Sequence, residues 1–92
     1  SCENPCVDPC NFKLKLEYQE NGEGGYIFNV PQSILESPCA DGYTYYWVSS
    51  YDDYTSIDPN FYLTLPEGNH SITLYIYYDG KNCTKESIYI SI

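Results

Sequence analysis

The chain has no arginine, no methionine, one histidine and one tryptophan, and its four lysines face 13 acidic residues. A net charge of −9 leaves nothing to neutralise a run of phosphates, so nucleic acid is excluded as a partner. The same balance excludes attraction to an anionic membrane surface. No apolar run approaches the ~20 residues of a membrane-spanning helix. With His70 as the only imidazole, a Ser–His or Cys–His nucleophilic pair has one place to form. His70 falls on the inward face of an alternating segment, where packing is the expected role. The chain therefore reads as a non-enzyme, and no residue pattern asks for a cofactor.

An even number of cysteines is also lacking. There are five in 92 residues, which is more than a reducing compartment favours and places the chain in an oxidising, extracellular or cell-surface setting. Three fall in the opening SCENPCVDPC, at Cys2, Cys6 and Cys10; the others are Cys39 and Cys83. Cys2, Cys6 and Cys10 are three thiolates without a fourth zinc ligand at suitable spacing. Asp52, Asp53 and Asp58 supply oxygens for a calcium option, without the glycine-punctuated loop such sites use. No metal is expected.

What is abundant is tyrosine, 12 residues, arranged with a period of two. From Phe12 to Gln19 every even position is apolar and every odd one polar, which predicts a half-buried strand. Asn21-Gly22-Glu23-Gly24-Gly25 is a turn, Tyr26 to Val30 a second strand, and Pro31 ends it. Further strands are expected over Tyr43–Ser50, Phe61–Leu65, His70–Tyr78 and Thr84–Ile92, with a short edge strand within Ser49–Asn60. Ser33 to Glu36 is one helical turn at most. Six or seven short strands in about 90 residues predict an all-β, antiparallel β-sandwich. The expected organisation is a Cys/Pro-rich entry or attachment segment over 1–11 and a sandwich over 12–92.

The order of motifs from about residue 39 resembles the immunoglobulin-like module of the polycystic-kidney-disease (PKD) type and the related adhesin repeats of gliding Bacteroidetes. The residues that carry the likeness are Tyr45-Tyr46-Trp47, then Leu65-Pro66-Glu67-Gly68 running into the alternating His70 to Ile76, then Asp79-Gly80-Lys81-Asn82-Cys83. In the adhesin repeats a cysteine precedes the Trp strand, where Cys39 sits. The resemblance implies an Ig-like sandwich with Cys39 and Cys83 in loops at one end, and hence a Cys39–Cys83 disulfide. A second bridge, Cys6–Cys10, then closes a small loop. Cys2 is left over, as a free thiol, an interchain bridge or a point of lipid attachment.

If the even positions of the last two strands face the core, Tyr75, Tyr77 and Tyr89 face out, joined by Tyr46 from the Trp strand. Such a stripe suits a neighbouring domain, a protomer or a sugar face. Three functions are expected from this pattern. The first is a non-catalytic extracellular structural or adhesion module, or a subunit of a bacterial surface assembly. The second is a carbohydrate-binding module of a secreted hydrolase. The third is a small surface lipoprotein anchored through Cys2.

Overall fold

A computed structural model of the chain describes residues 6–92. Seven strands form two antiparallel sheets. β1 (Glu17–Glu20), β2 (Gly25–Asn29) and β5 (Asn60–Thr64) make one, in the order β1-β2-β5. β3 (Tyr43–Ser49), β4 (Thr55–Ser56), β6 (Asn69–Tyr78) and β7 (Lys81–Ser91) make the other, in the order β4-β3-β6-β7. This is the all-β sandwich expected from the period-two pattern.

Alternation sets which side of each strand is dry. Tyr26 and Phe28 of β2 and Phe61 and Leu63 of β5 line one inner face; Trp47 of β3 and Ile72, Leu74 and Ile76 of β6 line the other. Phe28, Trp47, Ile72, Leu74 and Ile76 are fully buried. Each removes roughly 1.5–3 kcal/mol worth of apolar surface from water. Phe28 and Phe61, paired on one sheet, meet each other and Trp47 of the opposite sheet ring to ring, with centroids 5.9 to 6.5 Å apart. The Trp47 Nε1–H donates to the carbonyl of Asp58 at 2.9 Å, so the one polar atom of the central ring is satisfied.

The turns follow from local chemistry. Asp79-Gly80 joins β6 to β7 with φ of 51° and 84°, the two-residue pattern whose twist matches a hairpin. Asp52-Asp53, between β3 and β4, repeats the positive φ at 53° and 52°, which the short polar side chain of aspartate tolerates. Gly42 is required for another reason. A Cβ there would fall inside contact distance of the Tyr78 ring, which closes the base of the β3–β6 pair.

Two strand expectations change. The alternation over Phe12–Gln19 is real, but only Glu17–Glu20 is hydrogen-bonded as β1. Its partner β2 ends at Asn29, before Pro31 and the single helical turn α1 (Gln32–Leu35). Phe12, Leu14 and Leu16 still pack against the core, on an extended segment with no neighbouring strand. β7 is longer than expected and starts at Lys81, directly after the turn. Its register with β6 shifts between Ile76 and Tyr77, a bulge that leaves Cys83 outside the ladder.

The disulfides are Cys6–Cys39 and Cys10–Cys83, each with Cα atoms 4.8 Å apart. This corrects both expected pairings, Cys39–Cys83 and Cys6–Cys10. Cys39 and Cys83 do belong to one end of the sandwich, where the Asp79 N–H donates to the Gly42 carbonyl. The entry segment reaches that end and supplies a partner to each. Tyr43 donates its hydroxyl to the Pro9 carbonyl, and its ring meets Phe12 edge-on. Residues 6 to 12 are thereby bound to the floor of the four-stranded sheet. Cys2 lies outside the described residues.

Candidate functional site

The four-stranded sheet has one face in the core and one facing solvent. Residues of the solvent face are fixed by register. Tyr46 of β3 stands opposite Tyr75 of β6, Thr44 opposite Tyr77, and Ser71 of β6 opposite Tyr89 of β7. All four tyrosines expected on this face are therefore on it. The structure brings three of them together. Tyr46 and Tyr75 have ring centroids 6.0 Å apart and planes tilted by 38°, and Tyr77 follows Tyr75 on the same strand. Tyr89 stands apart, beyond the row in which Thr73 and Ser87 share a 2.8 Å hydrogen bond, and is 80% exposed.

Lys85 is the element of this face that the tyrosine count did not reveal. It lies opposite Tyr75, with Nζ 5.9 Å from the ring centroid, close enough for a cation–π contact. The signal was present in the strand alternation, since Lys85 shares parity with Ser87 and Tyr89. Ile57 is a second such residue. It is 77% exposed, just past β4, and with Pro59, Thr44, Tyr46 and Tyr77 it borders an open, largely apolar concavity of roughly 550 Å³. Ile57 sits inside the acidic stretch Ser49–Asn60, which the sequence presents as a polar loop.

The chain matches no protein-family model and no curated protein.

A second concavity, of roughly 500 Å³, opens where β4 meets β5 and is bordered by Tyr51, Tyr54, Thr55 and Tyr62. Tyr51 and Tyr54 are in ring contact at 5.9 Å. His70 lies beneath this region, buried as expected. Its Nε2 is 2.8 Å from the Pro66 carbonyl oxygen, and its ring meets Tyr51 edge-on at 5.8 Å. The imidazole thus closes the Pro66-Glu67-Gly68 turn.

The calcium option is corrected. Among the described residues no three His, Cys, Asp or Glu side chains come together as a metal would need. Asp52 and Asp53 occupy the positive-φ turn, whereas Asp58 lies beyond β4 with its carbonyl engaged by Trp47. A cation needs several oxygens converging on one point, and this turn spreads them.

Two tyrosines carry phenols that resist ionisation. Tyr26 donates to the Glu20 carboxylate at 2.7 Å, and that hydrogen bond, with burial and the carboxylate charge, raises its pKa above the ordinary 10. Burial raises that of Tyr45, with a smaller contribution from Tyr43.

Proposed function

We propose that this chain is a non-catalytic extracellular module of the PKD or adhesin-repeat kind, which holds a neighbouring protein domain against the outer face of its four-stranded sheet. The observation that carries this reading is the solvent-facing cluster of Tyr46, Tyr75 and Tyr77 beside exposed Ile57. Tyrosine suits such a role because it offers a large apolar ring and a hydroxyl at little conformational cost. Two disulfides support an oxidising location, and no helix among the described residues is long and apolar enough to cross a membrane.

A protein partner fits better than a sugar. The Tyr46 and Tyr75 rings are tilted by 38°, so they offer no flat platform to consecutive pyranose rings, and Lys85 stands over Tyr75. The mechanism is presentation: the stapled sandwich fixes the strand register, and the register fixes the spacing of the rings.

The test is a binding comparison between the chain and Tyr46→Ser/Tyr75→Ser, using adjacent domains of its parent protein as the probe and a polysaccharide panel in parallel. Domain binding lost in the variant, with the panel silent, is the expected result. Polysaccharide binding lost in the variant would select the carbohydrate-binding reading instead. Identical domain binding by both proteins would sink the proposal. Anchoring through Cys2, the third expectation, concerns a residue outside the described structure.

A further inference from the structure

The two sheets have unequal edges. β4 has two residues and adjoins β5, and β1 has four, whereas β7 has 11 and pairs with β6 on one side only. The direction of its hydrogen-bonding groups follows from the register. Gly68 and Ile92 exchange both backbone bonds, at 2.9 Å each. In an antiparallel ladder such pairs alternate, so Ile90, Ile88 and Glu86 also point their N–H and C=O into β6. Lys85, Ser87, Tyr89 and Ser91 point theirs away from the sheet. Among the described residues no backbone group bonds to them there; the Ser87 N–H is met by the carboxylate of its own neighbour, Glu86, at 3.2 Å, an exposed local bond that pairing would replace.

Edges of this kind are usually blunted by charge, proline or a bulge. On β7 the bulge and both lysines lie in the first half. From Ser87 to Ser91 the strand is uncharged, β-branched and aromatic, and Tyr89 is 80% exposed.

We propose that this edge takes the β7 strand of a second copy of the chain, antiparallel and related by a two-fold axis at Ser87. The strand is self-complementary in that register. Ser87 exchanges backbone bonds with Ser87 of the other copy, and Lys85 and Tyr89 exchange them with each other's counterparts. Lys85 of each copy then stands opposite Tyr89 of the other, an ammonium beside a ring on the same face. Glu86 stands opposite Ile88, and no like charges meet. A register centred on Glu86 would oppose two carboxylates, and one centred on Lys85 two ammonium groups. With two lysines against one glutamate, β7 is locally positive in a chain of charge −9, which lessens the repulsion between copies that meet there. The product is one continuous sheet of eight strands, a closed isologous dimer. This edge borders the tyrosine face and shares Lys85 and Tyr89 with it, but the inference rests on the unpaired backbone of β7 and not on the function proposed for that face.

The experiment is sedimentation equilibrium of the disulfide-intact chain carrying Cys2→Ser, so that no interchain disulfide contributes. The expected result is a concentration-dependent doubling of mass that strengthens with added salt, because salt screens the repulsion between acidic copies. Ser87→Pro removes an outward N–H whose bond within the chain is to the exposed Glu86 carboxylate and not to β6, so the fold keeps its ladder while the edge is blocked. It is expected to stay monomeric at every concentration. Tyr89→Lys, a change at an exposed position, opposes two lysine pairs and should weaken the dimer about tenfold. Tyr46→Ser should leave it unchanged. A parent chain monomeric at the highest attainable concentration overturns the proposal. So does a dimer that survives both β7 substitutions, or one that Tyr46→Ser dissociates.

Discussion

Cys10 and Cys83 are 73 residues apart in sequence and joined by a disulfide that binds the entry segment to the start of the longest strand. Cys6 makes the matching bond to Cys39, across 33 residues. The segment that the sequence presents as a separate attachment arm is therefore tied into the end of the sandwich at two points. A domain this small has a thin core, and bridges that close long loops add most to it in the chain-entropy model.

Removing either bridge should be expensive. Cys10→Ala/Cys83→Ala and Cys6→Ala/Cys39→Ala are each expected to lose about 4 kcal/mol of unfolding free energy, measured by denaturant titration. Peptide mapping without reductant should return Cys6 linked to Cys39 and Cys10 linked to Cys83. A Cys39–Cys83 peptide would contradict the structure.

Trp47 joins the two sheets and also anchors the chain beyond β4. Trp47→Phe keeps a ring in the core but leaves the Asp58 carbonyl without its 2.9 Å donor. The expected loss is about 1–3 kcal/mol. Trp47→Ala adds a cavity between Phe28 and Phe61 and should lose about 3–5 kcal/mol. The ordering of the two losses, read from denaturation midpoints, is the check.

Alkali should act through Tyr26 and Tyr45. Their phenols ionise above the ordinary pKa of 10 in the folded chain, so folding opposes the charged form. The stability they contribute is fully present below pH 10 and is lost as pH rises through the raised values. Titration of tyrosinate absorbance should show a late component in the folded protein that is absent in urea. Tyr26→Phe/Tyr45→Phe should remove it; persistence of that component would assign it to other tyrosines.

Legibility varied with the range of the interaction involved. The strands of β3 and β6 were plain because each buries alternate residues against a full core, so pattern and structure obey one constraint. Phe12–Leu16 carries the same alternation and buries the same parity, yet forms no ladder, because a ladder needs a neighbour and β2 has already ended. Parity turned Tyr75 and Tyr77 outward, and the Ig-like resemblance set the strand of Tyr46 beside theirs in one sheet. Their convergence, and the separation of Tyr89, depended on the register between strands. Ile57 was hidden because a single apolar residue in an acidic loop has no period to mark it.

Composition and alternation by themselves determined the all-β sandwich, the buried parity of each long strand and the turns at Asp79-Gly80 and Pro66-Glu67-Gly68. These are set by local backbone preference and by the separation of apolar from polar side chains, which a linear pattern records. Only the tertiary structure decided which cysteines meet, which strand edge stays unpaired and which tyrosines form a cluster. Those depend on where distant segments come to rest. Cys6 and Cys10 intercept Cys39 and Cys83 because the entry segment returns to their end of the sandwich.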